Sequence, residues 1–79
     1  MAAKLTLRYD READILYVDR RPPYSEQETE ELGDDVLVRV DPVSGQIDSL
    51  EILFFSTRLL RSTLVELPIE ANLVRSSES

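Results

Sequence analysis

The stretch Leu5-Thr6-Leu7-Arg8-Tyr9-Asp10-Arg11-Glu12-Ala13-Asp14-Ile15-Leu16-Tyr17-Val18 decides the fold. Leu5, Leu7 and Tyr9 alternate with Thr6 and Arg8, the period of a strand with one buried face. Asp10 to Asp14 is polar and reads as a turn, in which Asp10 and Asp14 bond local backbone N–H groups. Ile15-Leu16-Tyr17-Val18 is apolar at every position, which suits a strand covered on both faces. The two runs predict a β-hairpin.

Moving outward, Arg20-Arg21-Pro22-Pro23-Tyr24-Ser25 breaks the pattern, because two prolines exclude a helix interior or a central strand. Glu26 to Asp35 holds six carboxylates and no base. It reads as a solvated loop, with a short edge strand around Glu28 to Glu30 as a variant. Val36-Leu37-Val38-Arg39-Val40 predicts a third strand. Asp41-Pro42-Val43-Ser44-Gly45 is a strong turn, since Pro42 presets φ and Gly45 tolerates a positive one. Gln46 to Ile52 predicts a fourth strand, antiparallel to the third.

Ser56 is the expected N-cap of a helix running to Leu64. Phe55, Leu59, Leu60 and Leu64 form its apolar stripe, and Arg58 and Arg61 lie on another face, solvated or paired with Glu51 or Glu66. Beyond it Val65, Leu67, Ile69, Ala71 and Leu73 alternate, which suggests an extended segment confined to an edge by Pro68. A short helix from Pro68 competes. The expected fold is therefore α+β: a four-stranded antiparallel sheet of two hairpins, a short C-terminal helix, and an extension that pairs or packs at an interface. Residues 1–75 form one small domain and 76–79 a disordered tail.

Composition removes most chemistry. Among 79 residues there is no cysteine and no histidine, and Lys4 is the one lysine. Thiol, imidazole and zinc-cage mechanisms are therefore excluded. The net charge is -7 and no block of three basic residues exists, which argues against nucleic acid. No apolar run approaches the roughly 20 residues of a membrane span. Met1 to Thr6 lacks the apolar stretch of a signal peptide, so a cytoplasmic location is expected. No cofactor is expected.

The residues also resemble a known family. Tyr9 to Val18 resembles the YD-x-EAD-x-LY opening of the domain of unknown function 2283 family. Thr29-Glu30-Glu31-Leu32 resembles its T-x-E-x segment. Val40-Asp41, Gly45-Gln46-Ile47 and Leu50-Glu51-Ile52-Leu53 resemble its D-x-x-G-x-I/V-x-G-x-EIL ending, with Ser49-Leu50 where the family usually has glycine and Pro42 where many members are acidic. The likeness covers roughly Leu5 to Ser56. It implies no settled activity, no catalytic residues, and a bacterial setting beside small toxin-like proteins.

Three readings of function follow. The first is a non-enzymatic, self-associating module, a dimer or higher oligomer, because the strands carry apolar residues on both faces and the chain is too short to cover them. Its interface candidates are Leu16, Val18, Phe54, Phe55, Leu67, Ile69 and Leu73. The second is an antitoxin-like protein whose Glu26, Glu28, Glu30 and Glu31 dock on a small basic RNase-type partner. The third is a metal-binding or enzymatic module using Asp10, Glu12 and Asp14, which alternate as at the start of a calcium loop. That loop then fails, with Ile15 at its glycine position and Arg21 at its final glutamate position.

Overall fold

The computed structural model describes residues 4–75. The expected hairpin is present: β1 (Thr6–Asp10) pairs antiparallel with β2 (Ile15–Asp19), with Asp10 opposite Ile15 and Thr6 opposite Asp19. β4 (Val36–Val40) and β5 (Ile47–Leu53) form a second antiparallel pair. β5 also pairs with β2 and so joins the two hairpins at the centre of the sheet.

The sheet has five strands rather than four. Glu28–Gly33, expected mainly as loop, is β3 and pairs antiparallel with β4, giving the order β1-β2-β5-β4-β3. Its backbone completes the ladder of β4 while its glutamates stay in water, so an edge strand needs no apolar alternation. The β3–β4 turn explains the tight return. Asp34 and Asp35 both have positive φ, 52° and 59°, as two-residue hairpin loops require, and aspartate tolerates that region better than most residues.

One face carries the core. Val36, Val38, Leu50 and Ile52 are its buried apolar side chains, with Val36 and Val38 only 1 % exposed. Cross-strand pairs Leu16–Ile52, Val18–Leu50, Val36–Ile52 and Val38–Leu50 set them side by side. Leu7 and Tyr9 extend the same face outward, opposite Val18 and Leu16. Leu16 and Val18 are half-buried, as is all of β2, so full cover of that strand on both faces is not realised.

The other face is mixed. Arg8 lies over the ring of its cross-strand partner Tyr17, 4.0 Å from the centroid. Arg39 reaches Glu51 at 3.6 Å. Ile15, Tyr17, Leu37 and Leu53 are all half-buried there. Long charged side chains thus shade the apolar ones with their stems.

The helix, α1 (Phe55–Arg61), is shorter than expected. Its N-cap is Phe54, in a left-handed conformation and without a side-chain cap, not Ser56. Its end follows from Ser62, whose hydroxyl bonds the backbone N–H and carbonyl of Leu64 and so competes with a further helical turn. The expected apolar stripe is also overturned. Leu59 and Leu60 are exposed, Leu60 at 87 %, while Arg58 is buried at 6 %. After α1 the chain is neither strand nor helix. Val65, Leu67 and Ile69 are half-buried and alternate with exposed Glu66, Pro68 and Glu70, as the apolar periodicity suggests. Residues 76–79, expected as a tail, lie outside the described residues.

Candidate functional site

The acidic opening motif builds a joint between hairpin and helix. Asp10 Oδ1 accepts the backbone N–H groups of Glu12 and Ala13, both at 3.1 Å, and closes the β1–β2 turn. Asp14, with φ of 58°, turns its carboxylate toward α1. Its Oδ1 accepts the Tyr9 hydroxyl at 2.5 Å and the Ser56 N–H at 3.0 Å, and its Oδ2 accepts the Ser56 hydroxyl at 2.9 Å. An aspartate 42 residues upstream therefore caps the helix that Phe54 leaves uncapped. The Tyr9 hydroxyl and then the Ser56 N–H hold the Asp14 carboxyl below its usual range. The same bond to Asp14 holds the Tyr9 hydroxyl above its own.

Phe54 takes φ of 53° because both neighbours are pinned. The Leu53 N–H donates to the Asp35 carbonyl and the Phe55 N–H to the Asp14 carbonyl, each at 3.0 Å. The β3–β4 turn completes the joint. Arg58 donates from Nε to the Leu53 carbonyl at 3.0 Å, from Nη1 to the Asp34 carboxylate at 3.2 Å, and from Nη2 to the Asp34 carbonyl. Arg58 is thus not on a solvated face, and its partner is neither Glu51 nor Glu66. Arg61 is exposed, as expected.

A second constellation sits toward the other end of β5, away from every residue expected at a site. A bulge sets Val40 opposite Ile47 and Arg39 opposite Ser49, so Asp48 is the extra residue. Its side chain is fully buried. Oδ1 accepts Arg20 at 2.9 Å, and Oδ2 accepts the Tyr24 hydroxyl at 3.1 Å and the Gln27 amide at 3.0 Å. Its carbonyl accepts the Arg20 N–H at 2.8 Å. Burial pushes the Asp48 carboxyl up, but the bonds from Gln27, Arg20 and Tyr24 outweigh it and leave it lowered. Burial, then the bond to Asp48, raises the Tyr24 hydroxyl. The proline segment thereby has a fixed course: Arg20, Tyr24 and Gln27 all tie to one carboxylate. A pair of arginines followed by two prolines was the available hint, but only the pairing of β2 with β5 shows what they meet.

The candidate residues fall in separate places. Asp10 and Asp14 are occupied within the joint and Glu12 is exposed. Among the described residues no three His, Cys, Asp or Glu are grouped to hold a metal ion. Glu28, Glu30 and Glu31 line the β3 edge, all exposed, with Glu26 exposed just before it. Of the interface candidates, Leu16, Val18, Phe55, Leu67 and Ile69 are half-buried, and Phe54 and Leu73 are exposed. Tyr9 and Phe55 meet edge to face, centroids 5.9 Å apart. Leu5, Leu7 and Leu60, not among the expected contacts, are exposed apolar residues. Among the described residues no helix is long and apolar enough to cross a membrane.

The fold and the joint define a small α+β protein in which one antiparallel sheet is locked to a seven-residue helix by its own turn aspartates. The chain belongs to the protein of unknown function DUF2283 family, whose model matches residues 6–56. No curated protein and no solved structure matches it significantly. The matched span runs from the first residue of β1 to Ser56, the residue that Asp14 holds. Tyr9, Asp10 and Asp14 of the opening motif are the parts that close this unit. In the ending motif, the Asp41 carboxylate accepts the Val43 N–H at 2.9 Å and the Gly45 N–H donates to the Asp41 carbonyl at 2.8 Å. Ser49, within the matched span, is buried.

Proposed function

We propose that this protein is a non-enzymatic, cytoplasmic interaction module that works as a dimer or higher oligomer of itself. One observation carries the reading. The buried apolar core of the described chain is four side chains, while Leu5, Leu7, Tyr9, Leu59, Leu60 and Leu64 are exposed. A domain this small gains little from such a core, and exposed apolar area stabilises by roughly 25 cal/mol per Å² once covered. The non-enzymatic part is supported by how the shifted carboxylates are used. Asp14, Asp41 and Asp48 hold turns, a helix end and a loop. Sedimentation equilibrium across the micromolar range tests the reading. The expected result is a folded dimer or larger species, and a folded monomer throughout would overturn it.

A second reading keeps a specific observation. The exposed glutamates Glu28, Glu30 and Glu31 stand on a regular strand rather than a loose loop, a firm acidic edge for a small basic protein. Glu26→Gln, Glu28→Gln, Glu30→Gln and Glu31→Gln combined would abolish capture of such a partner. Unchanged capture removes the edge from the interaction, and the glutamates are then edge protection alone.

A further inference from the structure

The two edges of the sheet are built oppositely. β3 presents glutamates along its length, which blocks addition of another strand. β1 presents Leu7, 69 % exposed, between Leu5 and Tyr9 on the core face, with no like-charge run, no proline and no bulge. We propose that β1 is the surface on which two copies of this chain pair, antiparallel and edge to edge, making one ten-stranded sheet. This rests on the self-association reading and adds its location and register.

Charge selects the register. A two-fold axis through Leu7 sets Leu7 opposite the partner's Leu7 and Leu5 opposite the partner's Tyr9, a continuous apolar row on the core face. On the other face Lys4 then stands opposite the partner's Asp10, twice by symmetry, and Thr6 opposite the partner's Arg8. Asp10 is available for this, since among the described residues its turn bonds use Oδ1 alone. An axis through Thr6 would set Lys4 against Arg8, and an axis through Arg8 would set the two Arg8 side chains together. Both are like-charge pairs, which destabilise directly opposed strands. An axis through Tyr9 leaves Leu5 and Leu7 without apolar partners. The isologous arrangement closes at two copies and leaves only the acidic edges outward.

The chain has no cysteine, so Leu7→Cys carries a single thiol. Directly opposed residues have Cβ atoms about 4.5–5.5 Å apart, within reach of a disulfide. Mild oxidation of Leu7→Cys is expected to give a covalent dimer much faster than Leu60→Cys, a more exposed position on α1. Leu7→Glu, folded by circular dichroism, is expected to weaken the dimer about 100-fold by opposing two carboxylates at the axis. Lys4→Glu is expected to weaken it roughly 3- to 10-fold. A wild-type monomer would sink both this proposal and the self-association reading. A wild-type dimer that Leu7→Glu leaves intact, or that cross-links faster through Leu60→Cys, would sink the β1 interface alone. Larger species that vanish on neutralising Glu28, Glu30 and Glu31 would do the same, by pointing to head-to-tail contact between β1 and β3.

Discussion

The two ends of the sheet solve the same problem by different physics. At one end, turn residues in contact with water hold α1: the half-buried Asp14 caps it, and the exposed Asp34 turn receives Arg58. At the other, the buried Asp48 holds the 20–27 segment through Arg20, Tyr24 and Gln27. The distance ranges are similar, yet the two sets differ in what water does when a bond is removed. A partner left bare in solvent is rehydrated, whereas a partner left bare in the interior stays desolvated. The Asp48 end should therefore govern global stability, and the helix end should open locally.

The largest expected effect follows from this. Asp48→Ala strands Arg20, Tyr24 and Gln27 and should cost about 3 kcal/mol, read from the midpoint of urea unfolding. Asp48→Asn, with the same shape but no charge, should cost less. Next comes Arg58→Ala, which removes a buried guanidinium and its bond to the Leu53 carbonyl. It should cost about 2 kcal/mol, less than Asp48→Ala because the Asp34 carboxylate left behind is mostly in water. Asp14→Ala should speed amide exchange at Ser56 and Thr57 while shifting the global midpoint less than either. A global loss larger than that of Asp48→Ala would break the comparison.

Acid and base sharpen it further. Asp14, Asp41 and Asp48 titrate below the ordinary 3.8 in the fold. A depressed carboxyl adds stability that is complete above its unfolded value and lost as pH falls through the folded one. Tyr9 and Tyr24 titrate above the ordinary 10.0, so their contribution is complete below that value and lost as pH rises through the folded one. Stability should be level between about pH 5 and 9 and fall outside it. In Asp48→Asn the acid limb should become shallower, measured by urea titration at stepped pH. The smallest effect is local: Asp35→Gly at its positive φ should gain about 0.5 kcal/mol from relieved strain.

The hairpins and the α+β class were legible because apolar alternation and turn chemistry are local signals, as in Leu5 to Val18 and Asp41 to Gly45. β3 was only half legible, since an exposed edge strand is held by backbone pairing and its glutamates carry no periodicity. Arg58 was misread because helical spacing shows which residues share a face but not which face the sheet covers. Asp48 was overlooked for a related reason. Alternation puts it on the face of Leu50 and Ile52, but the groups that let a carboxylate sit there, on Arg20, Tyr24 and Gln27, come from 21 to 28 residues away in the chain.

What the amino-acid order determined alone was four of the five strands, the turns of the two hairpins, the location of charge and the chemistry excluded for lack of cysteine and histidine. The tertiary structure decided which charges are buried. Asp14 meets Ser56 across 42 residues, and Asp48 meets Arg20 across 28. A side chain's solvation depends on partners brought together by folding, and no local pattern in the chain encodes that distance.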